Sequence, residues 1–278
     1  MEDRVFVSQR KYAVDLLRRF NMLNCKVVAT PMNLDEKLQK EDGTEQANSS
    51  YFRSLVGGLL YLTHTRPDIS FSIGVVSRFM HCPSNHHLGA AKRILRYIAG
   101  TVDFCLWYGH VSSFRLCGFV DSDWAGCLED RRSTSGYVFN LGSGAICWSS
   151  KKQETIALST SEAEYIAATS SACQAVWLRR LLTDFDQEQD GETEIFCDSK
   201  SAIAMAKNPV YHGRTKHIDI RVHFIRQLVA QGLINLLHCN TNEQKADILT
   251  KSLPRDKHVY FTFQLGVCNF ESRGSVGD

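Results

Sequence analysis

Four acidic residues, Asp121, Glu164, Asp198 and Asp247, stand where carboxylates from separate stretches of chain could act together. Asp121 ends the run FRLCGFVD and Asp198 ends the run TEIFCD, both patterned as strands. Glu164 lies early in a long helical pattern, and Asp247 lies in a closing one. Taken singly, each has an ordinary explanation: an aspartate at a strand end often caps the next helix, and an acid in a helix's first turns complements its dipole. Taken together they suit metal-assisted hydrolysis of a phosphodiester, which needs several hard carboxylates to hold two divalent ions about 4 Å apart. Magnesium prefers oxygen ligands and retained waters, so a carboxylate cluster suits it better than cysteines or histidines would.

The elements that must position these acids can be read from periodicity. Residues 8–20, SQRKYAVDLLRRF, put Tyr12, Ala13, Leu16, Leu17 and Phe20 on one helical face, with Ser8 as N-cap. The polar stretch 33–50 has no apolar period and reads as a surface loop that links rather than packs. Helices are expected over 51–63, 67–80 and 84–100, the last opening on Ser84, closing on Gly100 and carrying a basic face of Lys92, Arg93 and Arg96. That face is either a nucleic-acid contact or a plain solvated surface.

After Asp103 the pattern turns to strands in FCLWY, FRLCGFVD, TSGYVFNL and AICWSS. A long helix over 160–182 follows, then strand TEIFCD, helix SKSAIAMAK, a helix over 215–230, strand LINLLHC and a closing helix from Glu243. A strand meander followed by alternating strands and helices implies an α/β fold with a mixed sheet flanked by helices. The expected boundary between two domains falls near 109–113.

With 278 residues, 44% of them hydrophobic and 22% charged, the chain has the composition of a folded protein with one large or two small cores. No run of about 18 apolar residues occurs, and no signal peptide is readable, so the expectation is an intracellular protein, cytoplasmic or nuclear, with no membrane partner. The net charge of +2 leaves any attraction to nucleic acid to local patches. Ten cysteines are scattered without a CxxC pair and read as buried reduced thiols. The cluster His81, Cys82, His86, His87 lacks the spaced second pair of a structural zinc site and reads as a loop leading into a helix.

The stretches VDSDWAGCLEDRRSTSGYVF, SSKKQETIALSTSEAEYIAA, FCDSKSAIAMAKNP, RTKHIDIRVHFIR and EQKADILTKSLP resemble, in order, the ribonuclease H domain of copia-type retrotransposon Pol polyproteins. Upstream, FRSLVGGLLYLTHTRPDISFSIGVVSRFM and AAKRILRYIAGT resemble the thumb and connection end of the family's reverse transcriptase. The resemblance implies a ribonuclease H-like mixed five-stranded sheet flanked by helices, preceded by a mostly helical segment. The implied domains are a reverse transcriptase remnant over 1–110, a ribonuclease H-like domain over 111–254 and a tail over 255–278. No YxDD-type aspartate pair occurs upstream, so no polymerase activity is expected, and the polymerase palm and fingers of a parent polyprotein are an implied partner.

Carried over by position, the family's four carboxylates fall on Asp121, Glu164, Asp198 and Asp247, as catalytic residues and ligands of two Mg²⁺ ions, with Mn²⁺ as a substitute. The implied activity is endonucleolytic cleavage of the RNA strand of an RNA–DNA hybrid. Glu162 differs from Glu164 by about 200° around a helix and is expected to face solvent; Asp123 is a candidate support for Asp121. Ser159, Thr160 and Ser161, at a helix start, form either an anion site for a phosphate of the DNA strand or a simple cap. Lys151, Lys152, Arg214 and Lys216 are candidates to steer the backbone, or ordinary exposed cations. His238 and His217 are rival candidates for a product-release histidine, with a structural role as the alternative. Two other readings stay open: a catalytically silent retroelement-derived nucleic-acid-binding fragment, and an integrase or another nuclease with a similar acidic cluster.

Overall fold

The computed structural model describes residues 4–111, 114–207 and 219–269, with backbone alone over 219–223. In chain order the elements are β1 (Arg4–Val7), α1 (Arg10–Arg19), α2 (Ser49–Leu62), α3 (Ser70–Ser77), α4 (Asn85–Ala99), β2 (Phe104–Gly109), β3 (Leu116–Ser122), β4 (Thr134–Leu141), β5 (Gly144–Lys152), α5 (Thr160–Asp184), β6 (Thr193–Cys197), α6 (Lys200–Lys207), α7 (Asp219–Ala230), β7 (Ile234–His238), α8 (Arg255–Gln264) and β8 (Val267–Asn269). Short 3-10 turns occupy Pro67–Ile69, Thr241–Glu243 and Lys245–Leu249. None of the described helices is long and apolar enough to cross a membrane.

Two compact units result: Met1–His110 with Lys251–Asp278, and Val111–Thr250. In the first, α1 to α4 bury Leu16, Leu17, Phe52, Leu59, Ile73 and Ile94 in one apolar core. Ser84 caps α4 as expected: its hydroxyl accepts from the His87 N–H, and His87 Nδ1 accepts from the Ser84 N–H at 2.9 Å. His87 thereby serves helix capping, and its Nε2 reaches the Gln39 carbonyl oxygen at 2.9 Å. The stretch 33–50 departs from expectation, because it packs: Leu38 is buried in the core and the Ala47 N–H donates to the Pro83 carbonyl. Of the two leucines in this polar stretch only Leu38 is buried while Leu34 is exposed, so this anchoring left no pattern to read.

Within the stretch 255–278 expected as a tail, residues 255–269 supply α8 and β8 to the same unit. β8 pairs antiparallel with β2 in a three-stranded sheet of order β1-β2-β8. Burial of Phe261, Leu265 and Val267 holds this return. Beneath α8 lies a buried polar network. Arg66 grips Asp68 through two bonds of 2.9 and 2.8 Å and donates to the Thr101 carbonyl at 2.8 Å. The Tyr97 hydroxyl donates to Asp68 at 2.8 Å, and His258 of α8 sits 3.2 Å from that hydroxyl. Burial alone would raise the Asp68 carboxyl, but the Arg66 guanidinium outweighs it and holds the pKa below the usual carboxylate value.

The second unit is the expected α/β layer structure: a five-stranded mixed sheet of order β5-β4-β3-β6-β7. β3, β4 and β5 form antiparallel neighbours, with Gly142 at φ +65° in the turn between β4 and β5. β6 runs parallel to both β3 and β7. Parallel neighbours need crossover connections, and α5 supplies the first, with α6 and α7 supplying the second. Alanines 163, 167, 168, 172 and 175 let α5 lie close on the sheet, where Val120, Phe139, Tyr165, Ile195 and Leu236 complete the core. This arrangement puts the ends of β3 and β6 and the first turns of α5 in one neighbourhood.

Candidate metal centre

β3 carries Asp121 into the interior, where the Thr250 hydroxyl donates to its Oδ2. Thr250 Oγ1 also lies 3.2 Å from the Asp247 carbonyl oxygen, so one threonine ties the strand to the 3-10 turn that bears Asp247. Gly136 of β4 makes room for that turn: a Cβ there would stand 2.7 Å from Thr250 Cγ2 and 2.8 Å from Leu249 Cβ. Gln244, fully buried, fixes the turn's start by donating from Nε2 to the Val120 carbonyl at 2.9 Å.

Glu164 comes from the opening turns of α5 and is buried. Its Oε1 accepts from the Ser122 N–H at 3.2 Å, one residue beyond Asp121. Its Oε2 stands 3.9 Å from Cys197 Sγ at the end of β6. Half-buried Asp198 follows, and its Oδ2 accepts from the Thr241 hydroxyl at 3.2 Å. Glu164, Cys197 and Asp198 each offer a donor atom within 4.8 Å of the others. Asp121 and Asp247 are not in this set; Asp121 is tied to it by the bond from the next residue, Ser122, to Glu164, and Asp247 is tied to Asp121 through Thr250.

Two thiols register how closely the carboxylates gather. Burial pushes the Cys197 thiol far up, and the charges of Glu164, Asp198 and Asp121 push it the same way. Burial likewise pushes Cys239 up to about 12, helped by the charges of Asp198 and Asp247. Cys197 and Cys239 are linked through backbone, the Cys239 N–H donating to the Cys197 carbonyl at 3.1 Å. Charge effects of this kind require proximity, so the four acids border two neighbouring buried points. The carboxylate oxygens of Glu164 and Asp198, held within 4.8 Å of each other, suit a divalent cation.

No family model matches the chain. Among curated relatives, it is 44% identical over 261 residues to the retrovirus-related Pol polyprotein from transposon TNT 1-94 of Nicotiana tabacum, covering 91% of this chain and 20% of that protein. It is 41% identical over 261 residues to the Pol polyprotein from transposon RE2 of Arabidopsis thaliana, covering 94% of this chain and 18% of that one. The chain is similar to the Pol polyproteins of copia-type retrotransposons. It spans about a fifth of the length of these Pol relatives. Among solved structures, LC11-RNase H1 in complex with RNA/DNA hybrid aligns with 49% of this chain and 94% of its own, at 16% identity and a TM-score of 0.37.

Other residues singled out from the sequence fall as follows. Ser159 caps α5, its hydroxyl accepting from the Glu162 N–H at 3.2 Å. Glu162 is not solvent-facing as expected but buried, because its Oε2 turns back to accept from the Leu158 N–H at 2.9 Å. Ser159 and Thr160 are exposed and Ser161 half-buried at that helix start. Lys152 is engaged by Asp130 at 2.7 Å, whereas exposed Lys151 makes a 3.5 Å pair with Glu154. Asp123 bonds the Thr134 N–H across the loop. His238 is exposed at the end of β7, and Arg214, Lys216 and His217 lie outside the described residues.

Cys197 and Gln153 were not anticipated. Gln153 Nε2 stands within 3.2 Å of Ser122 Oγ and 2.9 Å of the Ala163 carbonyl, joining the residue after Asp121 to the residue before Glu164. The only signal for Gln153 was its place in KKQET within the family-like stretch.

Proposed function

We propose that the Val111–Thr250 unit is a ribonuclease H that cleaves the RNA strand of an RNA–DNA hybrid. The observation that carries the proposal is the convergence of Glu164 and Asp198 on one point, with Asp121 and Asp247 at its border. Similarity to retrovirus-related Pol polyproteins supports the same reading, and so does a sheet that brings β3 and β6 side by side in parallel. Asp121, Glu164, Asp198 and Asp247 would hold two magnesium ions, with manganese as a substitute. Bound there, divalent ions supply an activated water and charge stabilisation for the phosphate and the leaving 3′ oxygen.

The chain's own part is positional. The Ser122 N–H and the Thr250 and Thr241 hydroxyls fix the directions of Glu164, Asp121 and Asp198 before any ligand arrives, which lowers the ordering cost of catalysis. Gln153 and Gln244 brace the backbone from which those acids project. The exposed hydroxyls at the start of α5 and Lys151 are candidates to meet the hybrid's phosphates.

The test is Mg²⁺-dependent cutting of a labelled RNA–DNA hybrid by the chain and by Asp198→Asn. The expected loss exceeds the roughly 10–100-fold that supporting residues of metal sites produce. Equal cutting by both proteins would reject the assigned site. Hybrid binding without cutting by either would favour a silent nucleic-acid-binding fragment.

A further inference from the structure

We propose that Cys197 makes this centre a mixed sulfur–oxygen site that takes a thiophilic divalent ion, such as cadmium or zinc, in competition with magnesium. The inference rests on the metal-binding reading of Glu164 and Asp198 but not on catalysis. Its basis is geometric. In a tetrahedral zinc site with Zn–S near 2.3 Å and Zn–O near 2.0–2.2 Å, sulfur and oxygen donors stand about 3.6 Å apart. Cys197 Sγ and Glu164 Oε2 are already 3.9 Å apart, and the donor atoms of Glu164, Cys197 and Asp198 all lie within 4.8 Å of one another. Rotamer adjustments of well under a side-chain length close that gap.

A further observation outside the donor set concerns the sulfur itself. The Ser199 N–H donates to Cys197 Sγ at 3.4 Å, the kind of contact that stabilises negative charge on sulfur once a cation is bound. Cys197 is fully buried at the end of β6, directly before Asp198, so its thiol is held in place rather than free to swing. Magnesium gains little from sulfur, whereas soft ligands select zinc-like ions. Binding replaces the thiol proton, which leaves to solvent, and no electrons are transferred. A soft ion seated on Glu164 and Asp198 takes two ligands from magnesium, so it acts as an inhibitor of any magnesium-dependent reaction at this centre.

The experiment titrates the full chain with cadmium and reads thiolate-to-metal charge-transfer absorbance, comparing wild type with Cys197→Ser, Cys239→Ser and Glu164→Gln. The eight free cysteines other than Cys197 and Cys239 contribute a background common to all four proteins. We expect one saturable step that Cys197→Ser abolishes and Cys239→Ser retains. Glu164→Gln, which keeps the thiol, should weaken that step at least about tenfold, the lower end for altered metal sites. Excess magnesium should raise the cadmium concentration needed in wild type. An identical titration in Cys197→Ser, or indifference of the step to both Glu164→Gln and magnesium, overturns the proposal. Failure to cut a hybrid would reject the ribonuclease reading while leaving the cadmium step to decide this one.

Discussion

Acidification tests the buried network under α8. Burial pushes His258 down to about 4 from its ordinary value of 6.5, against the attraction of Asp68 and with help from the Arg66 charge. Above pH 6.5 the ring is neutral in folded and unfolded chains, and the network holds at full strength. Between pH 6.5 and 4 the unfolded chain takes up a proton that the folded chain refuses, so stability falls as pH falls. At about 1.4 kcal/mol per pH unit, the full loss is roughly 3 kcal/mol below pH 4, and roughly 2 kcal/mol is already gone at pH 5. His258→Gln keeps a polar partner for the Tyr97 hydroxyl and removes the titration. The assay is native-state hydrogen exchange at pH 7.5 and 5.0, followed in peptides from α4 and α8. Wild type should lose about 2 kcal/mol more protection than His258→Gln over that interval. Equal losses in the two proteins would refute the assignment of a neutral, buried His258.

Three further outcomes follow from the packing. Arg66→Lys surrenders the two-point grip on Asp68 and the bonds to Thr101, and should lower urea-unfolding stability of the chain by about 3 kcal/mol or more. Gly136→Ala forces Thr250 and Leu249 away from β4; we expect about 1–3 kcal/mol of destabilisation and a drop in magnesium-dependent hybrid cutting as Asp247 shifts, measured on the same preparation. Ser159→Ala removes the α5 cap and should cost about 1 kcal/mol in the same unfolding assay.

Much of the second unit was legible because its patterns are long and uninterrupted. The α5 pattern and the alternating strands around it specify a mixed sheet, and the positions of Asp121, Glu164 and Asp198 come with it. Asp247 was harder. A closing helix was expected from Glu243, but Gln244 uses its side chain on the Val120 carbonyl, and the chain runs through two 3-10 turns, the second packed on β3 and β4, before a true helix begins after Pro254. Glu162 shows the limit of angular reasoning at a helix start, where a side chain can curl back to cap its own backbone. Cys197 escaped notice because a cysteine in a strand looks like apolar filler; only three-dimensional proximity to Glu164 gives it a chemical partner.

The pairing of β2 with β8 has a bearing on biosynthesis. Phe104 sits across from Asn269, so the sheet of the first unit is completed by residues made after the whole Val111–Thr250 stretch. At typical rates of translation, on the order of ten seconds separate the two strands at the ribosome. Throughout that interval β2 exposes one edge, and the Arg66–Asp68 pair awaits the helix that will roof it. The nascent amino-terminal lobe is therefore a natural client for chaperones, and a stop codon placed just behind Thr250 would harm the lobe that had been synthesised first.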